Sequence, residues 1–141
     1  MKILVPVDGS EPSLRAVQVA IAMTSGARSA ELLLVTVQNV APVGAADLGL
    51  LDPILVHKAA QRIGENVLQK ATELVEAARL RFTARVEMGP IAKTLARIAR
   101  NEGVDHIVMG TRGLGGVRGL VMGSVATQLL YLVKVPVTLV K

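Results

Sequence analysis

Six glycines fall within the fourteen residues from 110 to 123, in the stretch Met109-Gly110-Thr111-Arg112-Gly113-Leu114-Gly115-Gly116-Val117-Arg118-Gly119-Leu120-Val121-Met122-Gly123-Ser124. Glycine reaches positive φ freely and has no Cβ, so a glycine-rich backbone can bring its N–H groups close around an oxyanion. A helix opening near Gly123-Ser124 adds unpaired N–H groups and the positive end of its dipole. Ser124 is placed either to cap that helix or to hydrogen-bond a phosphate directly. Arg112 and Arg118 bring positive charge to the same stretch. Ordinary loop punctuation is the blander reading, but six glycines so close together favour an anion cradle.

A second cluster, Asp8-Gly9-Ser10, follows the apolar run Lys2 to Val7. By itself it reads equally well as a strand-to-helix turn with a serine cap or as a ligand contact. His57 and His106 have no partner at ligand spacing, so neither suggests a metal or catalytic centre. Glu73 and Glu76 read as solvent-facing charges on a helix rather than an acid/base pair.

The known phosphate loops can be tested by spacing. No G-x-x-x-x-G-K-[ST] occurs, which excludes a P-loop NTPase. A dinucleotide fingerprint built on Gly113 and Gly115 would need glycine at 118, where Arg118 stands, and no acid follows Asp105 to hold a ribose. The spacing present is G-x2-G-x9-G-[ST], carried by Gly110, Gly113, Gly123 and Ser124.

The elements that must position these residues alternate in type. Apolar strand-like runs cover 2–8, 32–37, 105–111 and 135–140, and residues 82–88 alternate as a further strand. Helical periodicity covers the intervals after Ser10, from Ile54 to Arg81, from Pro90 to Gly103 and from Gly123 to Lys134. In the long second helix, Ile63, Val67, Leu68, Leu74, Val75 and Ala78 form the expected apolar stripe. Residues 40–53 read as a long loop, either a plain linker or a lid over the ligand. Such alternation predicts an α/β fold, an open, doubly wound, Rossmann-like parallel sheet with helices on both faces. Its ligands bind at strand carboxyl ends where the strand order reverses. No internal repeat or second domain is evident, so residues 1–141 are expected to form one domain.

Composition narrows the function classes. At 51% hydrophobic and 19% charged residues the chain is not generally disordered. A chain of this length buries about 68–70% of its unfolded surface, enough for a true core. With no cysteine there is no disulfide scaffold, thiolate metal site or cysteine nucleophile, a composition that suits a reducing cytoplasm. No apolar run approaches a membrane span, and the N-terminal stretch is too short for a signal peptide. The formal charge of +5 arises wholly in the second half, and after Asp105 only Arg112, Arg118, Lys134 and Lys141 are charged. One Phe, one Tyr and no Trp make a poor stacking platform for single-stranded nucleic acid. Duplex contact through phosphates needs no aromatics, but the acid-free third coincides with the glycine loop, which suits one polyphosphate better.

The glycine motif, together with Val5-Pro6-Val7-Asp8-Gly9-Ser10, resembles the universal stress protein family over the whole chain, through to Val135-Pro136-Val137-Thr138-Leu139-Val140. The resemblance implies five parallel strands in the order 3-2-1-4-5. It also implies ATP, or ADP or AMP, held with Mg2+ or Mn2+ through its phosphates. Carried over by position, Pro6 and Val7 would line the base pocket, Asp8 would contact the adenosine portion, and Val37 would meet the adenine edge through its backbone. Met109 would lie near ribose and base. Gly110, Gly113, Gly123, Ser124 and Val125 would hold ribose and phosphates, with Arg112 beside them. The extra glycines at 115, 116 and 119 depart from the motif. The family commonly dimerises through its last strand, so a homodimer is expected, in the cytoplasm and in stress response or signalling.

Hydrolysis is expected to be slow if it occurs, because no Walker lysine, no evident general base and no acid within the loop is present. Two other classes stay open at this level. One is a nucleotide hydrolase or adenylyl-transfer enzyme of related architecture, although neither S-G-G-x-D-S nor H-I-G-H occurs. The other is a regulatory module for AMP or a cyclic nucleotide, or an interaction module with no ligand.

Overall fold

The computed structural model describes residues 1–27, 29–40, 49, 52–113 and 122–141. Much of the expected 40–53 lid, together with Gly115, Gly116, Arg118 and Gly119, lies outside the described residues. In chain order the elements are β1 (Lys2–Pro6), α1 (Glu11–Thr24), β2 (Glu31–Gln38), α2 (Pro53–Ala77), β3 (Arg81–Met88), α3 (Ile91–Asn101), β4 (His106–Gly110), α4 (Ser124–Leu132) and β5 (Val137–Val140). All strand pairs are parallel, and the sheet runs β3-β2-β1-β4-β5.

The central strands β1, β2 and β4 bury both faces, which is why they read as near-continuous apolar runs, whereas the edge strand β3 stays partly exposed and alternates. Ile3, Val5, Leu32, Leu34 and Val108 pack with Ala16, Val17, Ala20, Leu68, Ala71 and Val75 from α1 and α2. Leu4, Leu33, Val35, Ile107 and Met109 pack on the opposite face with Leu95, Ile98, Ala99, Ala126 and Leu129 from α3 and α4. From β1 the chain winds outward through β2 to β3, then crosses back to β4 on the other side. The reversal therefore lies between β1 and β4, whose ends carry the two candidate motifs.

Local signals end the helices largely as expected. Ser10 caps α1, its Oγ accepting from the Ser13 N–H at 3.3 Å, and Pro12 occupies the first turn. Gly103, at φ +60°, closes α3 with the Val104 N–H donating to Ala99 C=O at 3.0 Å.

Two expectations about α2 are corrected. It stops at Ala77 rather than Arg81, because Arg79 turns left-handed at φ 56° and the chain reverses into β3. Ile63 is not in the core but 54% exposed, and Ala78 is exposed as well. The buried line is instead Ala60, Gly64, Leu68, Ala71 and Val75. The helix lies so near the sheet at Gly64 that a Cβ there would strike the Val86 methyls and come within 3.1 Å of Thr36 Cγ2.

Candidate functional site

A cavity of about 530 Å³ opens at the carboxyl ends of β1 and β4, within the range of small-molecule sites. Its first wall is the end of β1. Pro6 and Val7 line it, with Val7 held by its N–H donating to Val35 C=O at 2.8 Å. Asp8 follows, its Oδ1 accepting from the Ser10 N–H at 2.9 Å, so the turn fixes the carboxylate through Gly9, at φ +83°. From β2 come Val35 and Val37, and from α3 come Ile91 and Leu95.

The opposite wall is the end of β4 and the start of α4. Met109 and Gly110 reach the cavity from the strand, and Thr111, Arg112 and Gly113 continue the rim. The base of the glycine loop is clasped by the Gly123 N–H, which donates to Thr111 C=O at 2.6 Å. Gly123, not Ser124, is the N-cap of α4, and it makes no side-chain cap bond. The capping reading of Ser124 is thereby corrected: its side chain is exposed at the cavity rim, in the first helical position. The helical ladder begins with Thr127 N–H to Gly123 C=O at 3.1 Å, so the amides of Ser124, Val125 and Ala126 precede it.

The structure thus brings Pro6, Val7, Asp8, Val37, Met109, Gly110, Arg112, Gly113, Gly123, Ser124 and Val125 to one cavity. Sequence reasoning did not assign Ser13, Thr111, Met122 or the α3 pair Ile91 and Leu95 to it. Ile91 and Leu95 carried a signal of helical spacing, but one that reads only as core. Thr111 sits inside the glycine motif itself, where the neighbouring glycines carry the signal.

The glycines serve different ends. A Cβ on Gly113 would lie 2.5 Å from Asp8 Oδ2, so the glycine lets the carboxylate settle against the loop. A Cβ on Gly110 would lie 2.9 Å from Pro12 Cβ and 3.1 Å from Ser13 N, so that glycine admits the first turn of α1. Chemically, the cavity has two ends. Val35, Val37, Ile91, Leu95 and Met109 offer an apolar slot for a flat ring. Arg112, Gly113, Gly123 and the first turn of α4 offer a cationic group and aligned amides for an anion. Among the described residues no group of three or more His, Asp or Glu side chains could hold a metal by itself. No described helix is long and apolar enough to cross a membrane.

Known proteins resemble this chain in sequence and fold. A universal stress protein from Methanocaldococcus jannaschii, MJ0531, is 30% identical over 141 residues, covering 99% of this chain and 81% of the relative. The solved structure of protein MJ0577 superposes with a TM-score of 0.86 at 24% identity, covering 99% of this chain and 94% of that one. A universal stress protein solved in complex with cAMP matches with a TM-score of 0.69 at 25% identity, covering 100% and 96% of the two chains. The sequence model of the universal stress protein family matches residues 1–141, and the chain belongs to that family.

Proposed function

We propose that this chain binds adenine nucleotide in the cavity between β1 and β4, with ATP as the principal ligand. The observation that carries the reading is the two-ended cavity, apolar over Val35, Val37 and Leu95 and lined by amides at Gly113 and the α4 N-terminus. The base enters the apolar slot, and the phosphates run toward Gly113, Gly123 and Ser124. Arg112, exposed on the rim, supplies a counter-charge at that end. Phosphate binding then uses α4's unpaired amides and dipole together with the glycine backbone.

Mg2+ or Mn2+ supplies charge neutralisation when bound through the phosphates. The residues present fit that arrangement only with phosphates as the main ligands. Ser124 offers a hydroxyl at the rim, and Asp8 offers a carboxylate beside Gly113. Among the described residues, nothing at the anion end resembles a general base with a relay behind it, which supports holding the nucleotide with little or slow hydrolysis. Membership of the family supports a role in stress response or signalling, which we place in the cytoplasm. Homodimerisation through β5 is supported by its place at the sheet edge, where unpaired backbone groups call for a partner.

The likeness to the cAMP complex favours a second reading, a regulatory module for AMP or a cyclic nucleotide. Calorimetric titration with ATP, ADP, AMP and cAMP separates the two. ATP binding tightest, with phosphate release far below about 1 per second, is the expected result. Absence of binding by all four nucleotides would refute both readings.

A further inference from the structure

Among the described residues, two buried side-chain polar atoms have no hydrogen-bond partner, Arg85 Nε and Thr111 Oγ1. Arg85 has its guanidinium in an ion pair with Glu102, away from the cavity. Thr111 is different. It is only 6% exposed, it lines the cavity, and its hydroxyl is a neutral group with both donor and acceptor capacity left unused. A buried polar group without a partner is rare enough in folded proteins to need a cause.

The backbone of Thr111 is fully committed. Its N–H donates to Val140 C=O at 2.8 Å, tying it to the end of β5, and its C=O accepts from the Gly123 N–H at 2.6 Å. The residue is therefore fixed at the base of the glycine loop, directly against the N-cap of α4. It follows the last residue of β4 and lines the cavity together with Met109 and Gly110. Ser124 and Val125, whose amides open α4, line the same cavity as Thr111.

We propose that Thr111 is a ligand-binding residue, its Oγ1–H donating to a phosphate oxygen seated at the α4 N-terminus. The inference rests on the nucleotide reading above, for which it names a further recognition group. The hydroxyl lies buried at the cavity wall, so pairing requires it to be uncovered there. The unpaired hydroxyl is a cost carried by the free protein and relieved by the ligand. Removing it with a side chain of the same shape should stabilise the free protein and weaken the complex, a combination that a purely structural threonine would not produce.

The test compares the full chain with Thr111→Val and Thr111→Ser, by thermal unfolding without ligand and by calorimetric titration with ATP and with inorganic tripolyphosphate. Thr111→Val should unfold at or above the wild-type temperature and bind both probes about tenfold more weakly, the scale of a hydrogen bond to a charged group. Thr111→Ser, which keeps the hydroxyl, should bind close to wild type. Unchanged affinity in Thr111→Val overturns the proposal, as does weaker binding explained by a lower unfolding temperature. Wild-type binding of tripolyphosphate but not ATP, with Thr111→Val weakened, would sink the nucleotide reading and leave Thr111 as an anion donor. Binding of neither probe by the wild type overturns both.

Discussion

The Asp8 carboxylate occupies the space that a side chain at Gly113 would take, with Oδ2 2.5 Å from where that Cβ would stand. The two residues come from opposite sides of the sheet's reversal, and Asp8 is held there by the Ser10 N–H on its other oxygen. Gly113→Ala must therefore push the carboxylate out of place. Nucleotide affinity should fall about tenfold or more, as when a charged contact is misplaced, while the fold survives. If Asp8 transmits the effect, Gly113→Ala should cost little further in an Asp8→Ala background. A double-mutant cycle of binding free energies reads this directly, and additive losses would contradict it.

Gly110 should behave differently. Its missing Cβ faces Pro12 Cβ at 2.9 Å, Pro12 C at 3.0 Å and Ser13 N at 3.1 Å, and two of those three are backbone atoms. Such neighbours cannot swing aside as a carboxylate can. Gly110→Ala should therefore destabilise the protein by about 1–3 kcal/mol, the usual cost of overpacking. Urea unfolding measures the loss, and stability equal to wild type would show that α1 can retreat from the strand.

Much of this architecture was legible because parallel strands buried on both faces leave unbroken apolar runs between helical periods. The glycine spacing and Asp8 were legible because both punctuate strand ends. Ile63 reads as core because it is apolar at helical spacing, yet it is exposed. Where the helix lies closest to the sheet, at Gly64, only a glycine fits, and the buried line runs through Ala60, Leu68, Ala71 and Val75 while the neighbouring Ile63 is turned outward. Thr111 escaped notice for a related reason: a threonine is unremarkable until its burial and missing partner are seen together. By residue type Ser124 reads as either a cap or a phosphate ligand, and the cap proves to be Gly123, whose amide is tied back to Thr111.

The end of α2 offers a stabilising substitution. Arg79 is the one non-glycine residue at positive φ among those described, at 56°, and closes the helix with its N–H to Glu76 C=O at 2.9 Å. Glycine is the preferred residue at such a position because the left-handed conformation costs it nothing sterically. Arg79→Gly should raise stability by about 0.5–1 kcal/mol after the added freedom of the unfolded chain is counted. A lower unfolding midpoint would mean that the arginine contributes more through its side chain than the strain removes.

The pH dependence of stability should carry a signature of Glu102. Its Oε1 lies 2.5 Å from Arg85 Nη2 and its Oε2 lies 3.5 Å from Lys2 Nζ. The hydrogen bond and charge of Arg85, with a smaller contribution from Lys2, hold its carboxyl below the usual glutamate range. A carboxylate whose pKa is lower folded than unfolded stabilises the protein above the unfolded value, about 4.3, and loses that contribution as the pH falls through the folded value. Glu102→Gln removes the titration but keeps the shape. The variant should therefore be less stable than wild type at neutral pH, and the gap should narrow as the pH drops below about 4.3, where the wild-type carboxyl also becomes neutral. Because both partners are partly exposed, added salt should narrow the neutral-pH gap as well. Denaturant midpoints of the two proteins from pH 7 down to the acid limit measure this, and a gap that stays constant across the range would show that the Arg85 pairing does not set the titration of Glu102.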